Sequence, residues 1–146
     1  MLRQRKQQQQ QRADEIEIFP TAATSPTDIW WCWHPAANAL TENEDQIWNA
    51  GRFAPAFIRF EFAVPFKCTR IELLPRMVPA SGSVTYKIHI GNAEAYNFTE
   101  NSADRKWIDV HLTQTGMRAK VIEVHTLDSP SWVALRRVRF WAQNVR

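Results

Sequence analysis

The sequence has 146 residues, of which 45% are hydrophobic, and it contains seven tryptophans. This length and composition favour a single globular domain with one core. The formal net charge of +3 comes from two basic ends, residues 1–12 and 136–146, whereas the stretch between them is net acidic. Because a nucleic-acid-binding protein usually has one clustered basic face, nucleic acid is not a predicted partner. No run approaches the ~20 apolar residues that span a bilayer, so no membrane span is predicted.

The N-terminal segment differs from the rest of the chain. Residues 1–14 form a basic, glutamine-rich tail that buries too little apolar surface to offset its ordering entropy, so we expect it to be disordered unless bound. Its basic side chains are the predicted contacts to a partner: Arg3, Arg5, Lys6 and Arg12. The tail lacks the apolar run of a secretory signal. We therefore expect an intracellular location, either the cytoplasm or, if the tail is a targeting segment, an organelle.

The predicted domain, residues 15–146, begins with two unusual segments. "IWWCWHP" is rich in tryptophan, and "PAANALTENEDQIWNAG" crowds acidic and amide side chains into a turn. Carboxylates and carbonyls are the ligands that a hard cation such as calcium prefers, so the second segment is a candidate metal loop. Two cysteines, Cys32 and Cys68, are too few for a disulfide framework and are predicted to be free thiols.

From residue 56 onwards, apolar residues recur with a period of two, which predicts strands. "AFIRFEFAV" alternates Ile58 and Phe60 with Arg59, and the pattern continues in "TRIELL", "SVTYKIHIG", "KWIDVHL", "KVIEVHTL" and "VALRRVRFW". His89 and His111 fall on the polar sides of their strands, where solvent exposure is expected. Six or more short strands separated by Pro, Gly, Ser and Asn predict an antiparallel β-sandwich or jelly roll, with binding in its loops.

The order of these segments resembles the discoidin domain, also called the coagulation factor V/VIII C-type domain. The resemblance covers roughly residues 20–142, from "AANAL" through "FIRFEF", "CTRIELLPR" and "WIDVHL" to "SPSWVALRRVRF". It implies a galactose-binding-like jelly-roll sandwich of about eight antiparallel strands. It also implies that Trp48 is the family's core tryptophan.

The same resemblance bears on the candidate metal loop. Members of the family often hold a structural calcium with an Ala-Ile-Asp-Gly-Asp segment and a glutamate near the last strand. Here Thr41 and Glu42 stand at the Asp and Gly positions, and the late glutamate corresponds to Arg137. Neither a metal nor another cofactor is therefore predicted. Two interpretations stay open for Arg137: that its guanidinium replaces the ion among the acidic residues, or that it faces solvent.

The resemblance further implies that a ligand would bind among the loops at one end of the barrel, where a sugar ring stacks on an aromatic side chain. The predicted ligand-binding residues are Trp31, His34, Arg52, Phe53, Arg76 and Met77. Asn49, Asp128 and Trp132 are further candidates, although Trp132 is interpreted as a core residue. No arrangement of residues typical of an active site is present, so a non-catalytic protein is predicted.

Two functions of different class follow from this sequence. The favoured prediction is a protein-interaction or structural subunit of a larger assembly, because an export signal and an intact ion site are both missing from the sequence. The alternative is a lectin-like module that recognises a glycan through the loop residues, which is the commonest activity implied by the resemblance.

Overall fold

The computed structural model describes residues 14–26, 34–112 and 118–144. Within them the chain forms a β-sandwich with one short 3-10 helix, Ala36–Leu40. The strands are β1 (Glu15–Ile18), β2 (Ala22–Thr24), β3 (Trp48–Asn49), β4 (Ala56–Phe66), β5 (Cys68–Pro75), β6 (Ser81–Ile90), β7 (Ala93–Ala103), β8 (Ile108–His111), β9 (Ala119–Asp128) and β10 (Ala134–Gln143). This architecture confirms the predicted antiparallel β-sandwich. Among the described residues, no helix has the length and hydropathy needed to cross a membrane.

The strands are divided between two sheets. The first has the order β1-β10-β5-β8, with β3 also paired to β10, and the second has the order β2-β4-β9-β6-β7. Every pairing is antiparallel. Consecutive strands lie in different sheets at every connection except the one between β6 and β7. These crossings place loops at the ends of the sandwich, where such scaffolds commonly carry binding sites.

The core lies between the sheets and follows the alternation in the sequence. On β4 the side chains of Ile58, Phe60 and Phe62 are buried. Phe140 of β10 packs edge-on against Phe60 and Phe62, with ring centroids 4.8 and 5.0 Å apart. Trp48 is fully buried, as predicted for a core residue. Aromatic contacts of this kind join the two sheets and so fix the loops at their ends relative to one another.

The outer face of the first sheet buries a charged residue. The Arg70 side chain on β5 is 7% exposed, although the alternation predicts a solvent-facing position. Its guanidinium donates to Glu15 at 2.8 Å and to Asp109 at 3.0 Å, and it lies 4.9 Å from the centre of the Trp141 ring. These contacts connect β1, β5, β8 and β10, so the strand that follows the N-terminal tail is held firmly to the sheet.

Candidate functional site

A depression of about 540 Å³ opens among the loops of the sandwich. Its wall is formed by the segment before the 3-10 helix, by β3 and the turn that follows it, by the segment after β5, and by the segment before β10. The lining residues are His34, Ile47, Asn49, Phe53, Arg76, Val78, Ser131, Trp132 and Ala134. Its volume falls within the range of roughly 300–1,000 Å³ that is typical of small-ligand sites.

Backbone hydrogen bonds hold three of these segments together. The N–H of Ala50 donates to the Val133 carbonyl at 2.8 Å, and the N–H of Val133 donates to the Arg52 carbonyl at 3.0 Å. The N–H of Arg76 donates to the Ala134 carbonyl at 3.3 Å. The segments after β3 and β5 are therefore both anchored on the segment that leads into β10.

Two polar side chains shape the loops from within. The Asn49 amide oxygen accepts a bond from the Gly51 N–H at 2.8 Å, and Gly51 has a φ of 72°, a conformation that favours glycine. The Ser131 hydroxyl accepts from the Val78 N–H at 3.1 Å and donates to the Trp132 carbonyl at 3.0 Å. Local bonds therefore set the positions of the neighbouring aromatic and apolar side chains.

The depression combines exposed aromatic rings with polar groups. Phe53 and Trp132 are 56% and 42% exposed and meet edge to face, with centroids 6.0 Å apart and planes at 76°. Arg76 lines the same depression, and its Nη1 donates to the Met77 carbonyl at 3.2 Å. The Asp104 carboxylate lies 3.8 Å from that nitrogen. An apolar platform and an anchored cation thus share one small space.

Three of the predicted ligand-binding residues lie together here. His34, Phe53 and Arg76 all line the depression, although they come from three separate segments of the sequence. Arg52 is exposed next to it, and its Nε donates to the Phe53 carbonyl at 3.4 Å, but the residue is not part of the wall. The structure thus brings together half of the predicted set.

Met77 requires a correction, because its side chain is 3% exposed and belongs to the core. Its backbone N–H instead donates to Asp104 at 3.0 Å. Burial opposes ionisation of Asp104, but hydrogen bonds from Arg136 and Met77 outweigh it, so the pKa of Asp104 is lowered.

Trp132, interpreted from the sequence as a core residue, is an exposed wall residue instead. The Ser-Pro-Ser turn that precedes Trp132 was the sequence feature that could have indicated its exposure.

Some predictions fall on residues outside the described part of the chain: the ligand contact of Trp31, the free thiol of Cys32, and the partner contacts of the tail residues Arg3, Arg5, Lys6 and Arg12. Cys68 is a free thiol, in agreement with the prediction. It is buried, and this burial raises its pKa to about 12. Cys68 is therefore protonated at neutral pH and contributes no reactive thiolate.

The candidate metal loop is closed by an arginine, but that arginine is Arg136 rather than Arg137. The Arg136 Nη1 donates to the Glu44 carbonyl at 2.9 Å, and its Nε and Nη2 donate to the Asp104 carboxylate at 3.1–3.3 Å. The side chain is only 6% exposed. The pairing register of β10 shifts between Leu135 and Arg137, which marks a bulge at Arg136. The hypothesis that the Arg137 guanidinium takes the place of an ion is therefore wrong, because Arg136 makes the contacts to the loop.

The residues of this loop do not fit a calcium ion. The Thr41 hydroxyl lies 3.2 Å from the carbonyl oxygens of both Asn38 and Asn43, so it competes for oxygens that an ion would need. The guanidinium of Arg136 engages the Glu44 carbonyl and adds a fixed positive charge. Calcium requires six to eight oxygen ligands, several of them anionic, and here the arginine occupies the Glu44 carbonyl and pairs with the Asp104 carboxylate.

Comparison with known proteins places the fold. No protein-family profile matches the chain, and no curated protein matches it at a significant level. Among solved structures, a truncated AlyQ with family 32 carbohydrate-binding (CBM32) and alginate lyase domains superposes with a TM-score of 0.75 at 13% identity. The superposition covers 90% of this chain and 34% of that one, so this chain spans about a third of the length of the truncated AlyQ.

Two further structures correspond to nearly whole chains. The family 32 module of NanJ from Clostridium perfringens, in complex with galactose, superposes with a TM-score of 0.65 at 16% identity, covering 90% of this chain and 96% of that one. The F5/8 type C domain of a Bacteroides fragilis protein gives a TM-score of 0.67 at 8% identity, with coverages of 90% and 99%. The chain therefore has the discoidin-like fold that the sequence predicted.

Proposed function

We propose that this chain is a non-catalytic carbohydrate-binding module that holds a sugar in the depression. The observation that carries the proposal is the exposed edge-to-face pair of Phe53 and Trp132 beside the anchored guanidinium of Arg76. The C–H face of a pyranose packs well on an aromatic ring, and its hydroxyls need fixed hydrogen-bonding partners. Both requirements are met within one space of suitable volume.

Each polar residue has a definite role in this proposal. A guanidinium carries five N–H donors, and the bond to the Met77 carbonyl uses one of them, so Arg76 donates to sugar hydroxyls through others. Because the Asn49 amide oxygen accepts from Gly51, its NH₂ group is the part that serves a ligand. His34 supplies an imidazole that can donate or accept at the same wall.

The structural neighbours support the proposal. The NanJ module was solved with galactose, and other similar structures include a pectin-binding module and a chitosan-binding module. These ligands differ in charge, so they support a carbohydrate without choosing among neutral, acidic and basic sugars. The cation at Arg76 favours a ligand with hydroxyl or carboxylate oxygens over an amino sugar.

The expected affinity for one sugar ring is low. A hexose has about 12 non-hydrogen atoms, and about −0.3 kcal/mol per atom gives about −4 kcal/mol, or a Kd of roughly 1 mM. A glycan array should therefore present the module in multivalent form, so that avidity reveals weak binding. Titration calorimetry of the monomer with the best glycan then gives the intrinsic affinity.

Matched variants test the site. W132A and R76A should each weaken binding by about 1–2 kcal/mol, or roughly 5- to 30-fold. W107A is the control, because Trp107 has a similar exposure of 37% and does not line the depression. Silence across a broad array, or binding that W132A and R76A leave intact, would overturn the proposal.

The protein-interaction subunit favoured by the sequence stays a prediction, since its tail contacts lie outside the described residues. It is tested by affinity purification from the native source with and without residues 1–12. Recovery of the same large partners, weakened by the truncation, would support that function. Recovery of the chain alone would count against it.

A further inference from the structure

A cluster of three metal-ligating side chains lies on the outer face of the second sheet. His89 comes from β6, and Glu123 and His125 come from β9. The two strands are paired, with His89 directly opposite Glu123, and His125 follows two residues along β9. Because side chains two apart in a strand share a face, the pairing brings all three to one side of the sheet.

The ligand atoms of the cluster converge. One nitrogen of each imidazole and one carboxylate oxygen all lie within 4.8 Å of one another. Glu123 Oε1 is 2.9 Å from His125 Nε2 and 3.8 Å from His89 Nδ1. The side chains are only 17–23% exposed, so the site is largely withdrawn from bulk water.

Neighbouring side chains hold the cluster in position. The Phe57 ring stacks on the His125 imidazole, with centroids 4.7 Å apart and planes at 16°. The His89 and His125 rings stack on each other at 4.4 Å. Arg59 donates to Glu123 Oε2 at 3.4 Å, which orients the other carboxylate oxygen towards the imidazoles. Partners that orient the ligand side chains in this way are typical of metal-binding sites in proteins.

One histidine of the cluster has an unused ring nitrogen. Among the described residues, the buried Nε2 of His89 has no hydrogen-bond partner, and its Nδ1 lies 3.8 Å from Glu123 Oε1. An imidazole coordinates a metal ion through a ring nitrogen that carries no proton, so the ring of His89 is not committed to other partners.

We propose that His89, Glu123 and His125 bind a divalent transition-metal ion, with Zn²⁺ as the best match. Two imidazole nitrogens and one carboxylate oxygen form a set of ligands that zinc binds readily. Ca²⁺ and Mg²⁺ prefer oxygen ligands and do not favour this set. Zinc bonds of about 2.0–2.1 Å place tetrahedral ligands roughly 3.3 Å apart, so the stacked histidine rings must rotate and the ligand atoms, now within 4.8 Å of one another, must move closer to close the site. Water completes the coordination. This site is separate from the sugar-binding depression.

Zinc titration of the full chain, first stripped by a chelator, tests the proposal by calorimetry. One Zn²⁺ site is expected, with affinity reduced by about 10-fold or more in H89N, H125N and E123Q. The control variants H34N and H111N, which alter the remaining histidines of the chain, should bind zinc as the wild type does. Calcium in excess should not compete.

The control variants also show which results would contradict the proposed zinc site. Absence of zinc binding by the wild type, or loss of binding in H34N or H111N instead, would overturn the proposal. Circular dichroism in chelator establishes whether each variant is folded. If a variant is unfolded, imidazole ¹⁵N shifts of the wild-type protein decide the question. Zinc-dependent shifts at His89 and His125 would support the site, and their absence would overturn it.

Discussion

Replacement of Arg136 by methionine should destabilise the domain strongly. The guanidinium is 6% exposed and bonds both the Asp104 carboxylate and the Glu44 carbonyl, so R136M deprives two acceptors at once. Loss of one partner of a buried ion pair costs about 3–5 kcal/mol. Asp104 is 20% exposed and can recover some hydration, which lowers the expected cost to about 3 kcal/mol.

That cost is a large share of the about 5–15 kcal/mol that stabilises a typical domain. For a chain of this length it corresponds to a fall in Tm of about 10 °C. Thermal and urea unfolding followed by circular dichroism measure the change. A double-mutant cycle with D104N then isolates the coupling between the two side chains, which should be about 2 kcal/mol.

The neighbouring variant R137M is the matched control, since Arg137 is not bonded to Glu44 or Asp104 in the structure. It should change stability by less than about 0.5 kcal/mol. A larger loss in R137M than in R136M would refute the assignment of Arg136 to the loop. So would a stability of R136M equal to that of the wild type.

Further predictions follow from the same loops. The pKa of Asp104 is lowered on folding. Its contribution to the stability of the fold is therefore fully present above the unfolded pKa of about 3.9 and is lost as the pH falls through the lower folded pKa. D104N should consequently flatten the dependence of Tm on acid pH. At neutral pH, neither calcium nor its removal by EGTA should move the Tm of the wild type, because Arg136 closes the loop; a calcium-dependent rise of several degrees would contradict the argument. In G82A the new Cβ would lie 2.6 Å from Pro130 Cγ, so we expect a loss of about 1–3 kcal/mol in urea unfolding and weaker glycan binding through the displaced Trp132 loop.

The strands were predictable because alternation is a local signal. Ile58 and Phe60 on β4 are buried and Arg59 lies on the opposite face, as their spacing requires. Alternation alone could not predict Arg70, which points away from the core yet is buried by residues from other strands. Burial of this kind depends on tertiary contacts that no local period contains.

The sequence pointed to Arg137 as the arginine at the candidate metal loop, whereas Arg136 makes the contacts. This difference also has a physical origin in the tertiary structure. Leu135 and Val138 both belong to the hydrophobic core although they are three residues apart, a spacing that would put them on opposite faces of a regular strand. The bulge supplies the extra residue and turns Arg136 towards the loop. The odd spacing could have revealed that a bulge exists, but not which arginine it would redirect.

The sites themselves were only partly predictable. The residues that line the depression were recognisable as loop residues, but the exposure of Trp132 depends on how its loop packs. His89 and His125 lie on different strands, and only the register between β6 and β9 brings them to Glu123. The sequence alone therefore gave no sign that these three side chains come together.

The most direct test of the proposed function is an NMR titration of the ¹⁵N-labelled domain with galactose, uronic acids and the best glycans from the array. The indole N–H of Trp132 should shift saturably with at least one of them, and the indole N–H of Trp107 should stay unchanged. A Trp132 signal that no sugar moves, or saturable shifts confined to residues away from the depression, would contradict the proposal that this chain is a carbohydrate-binding module.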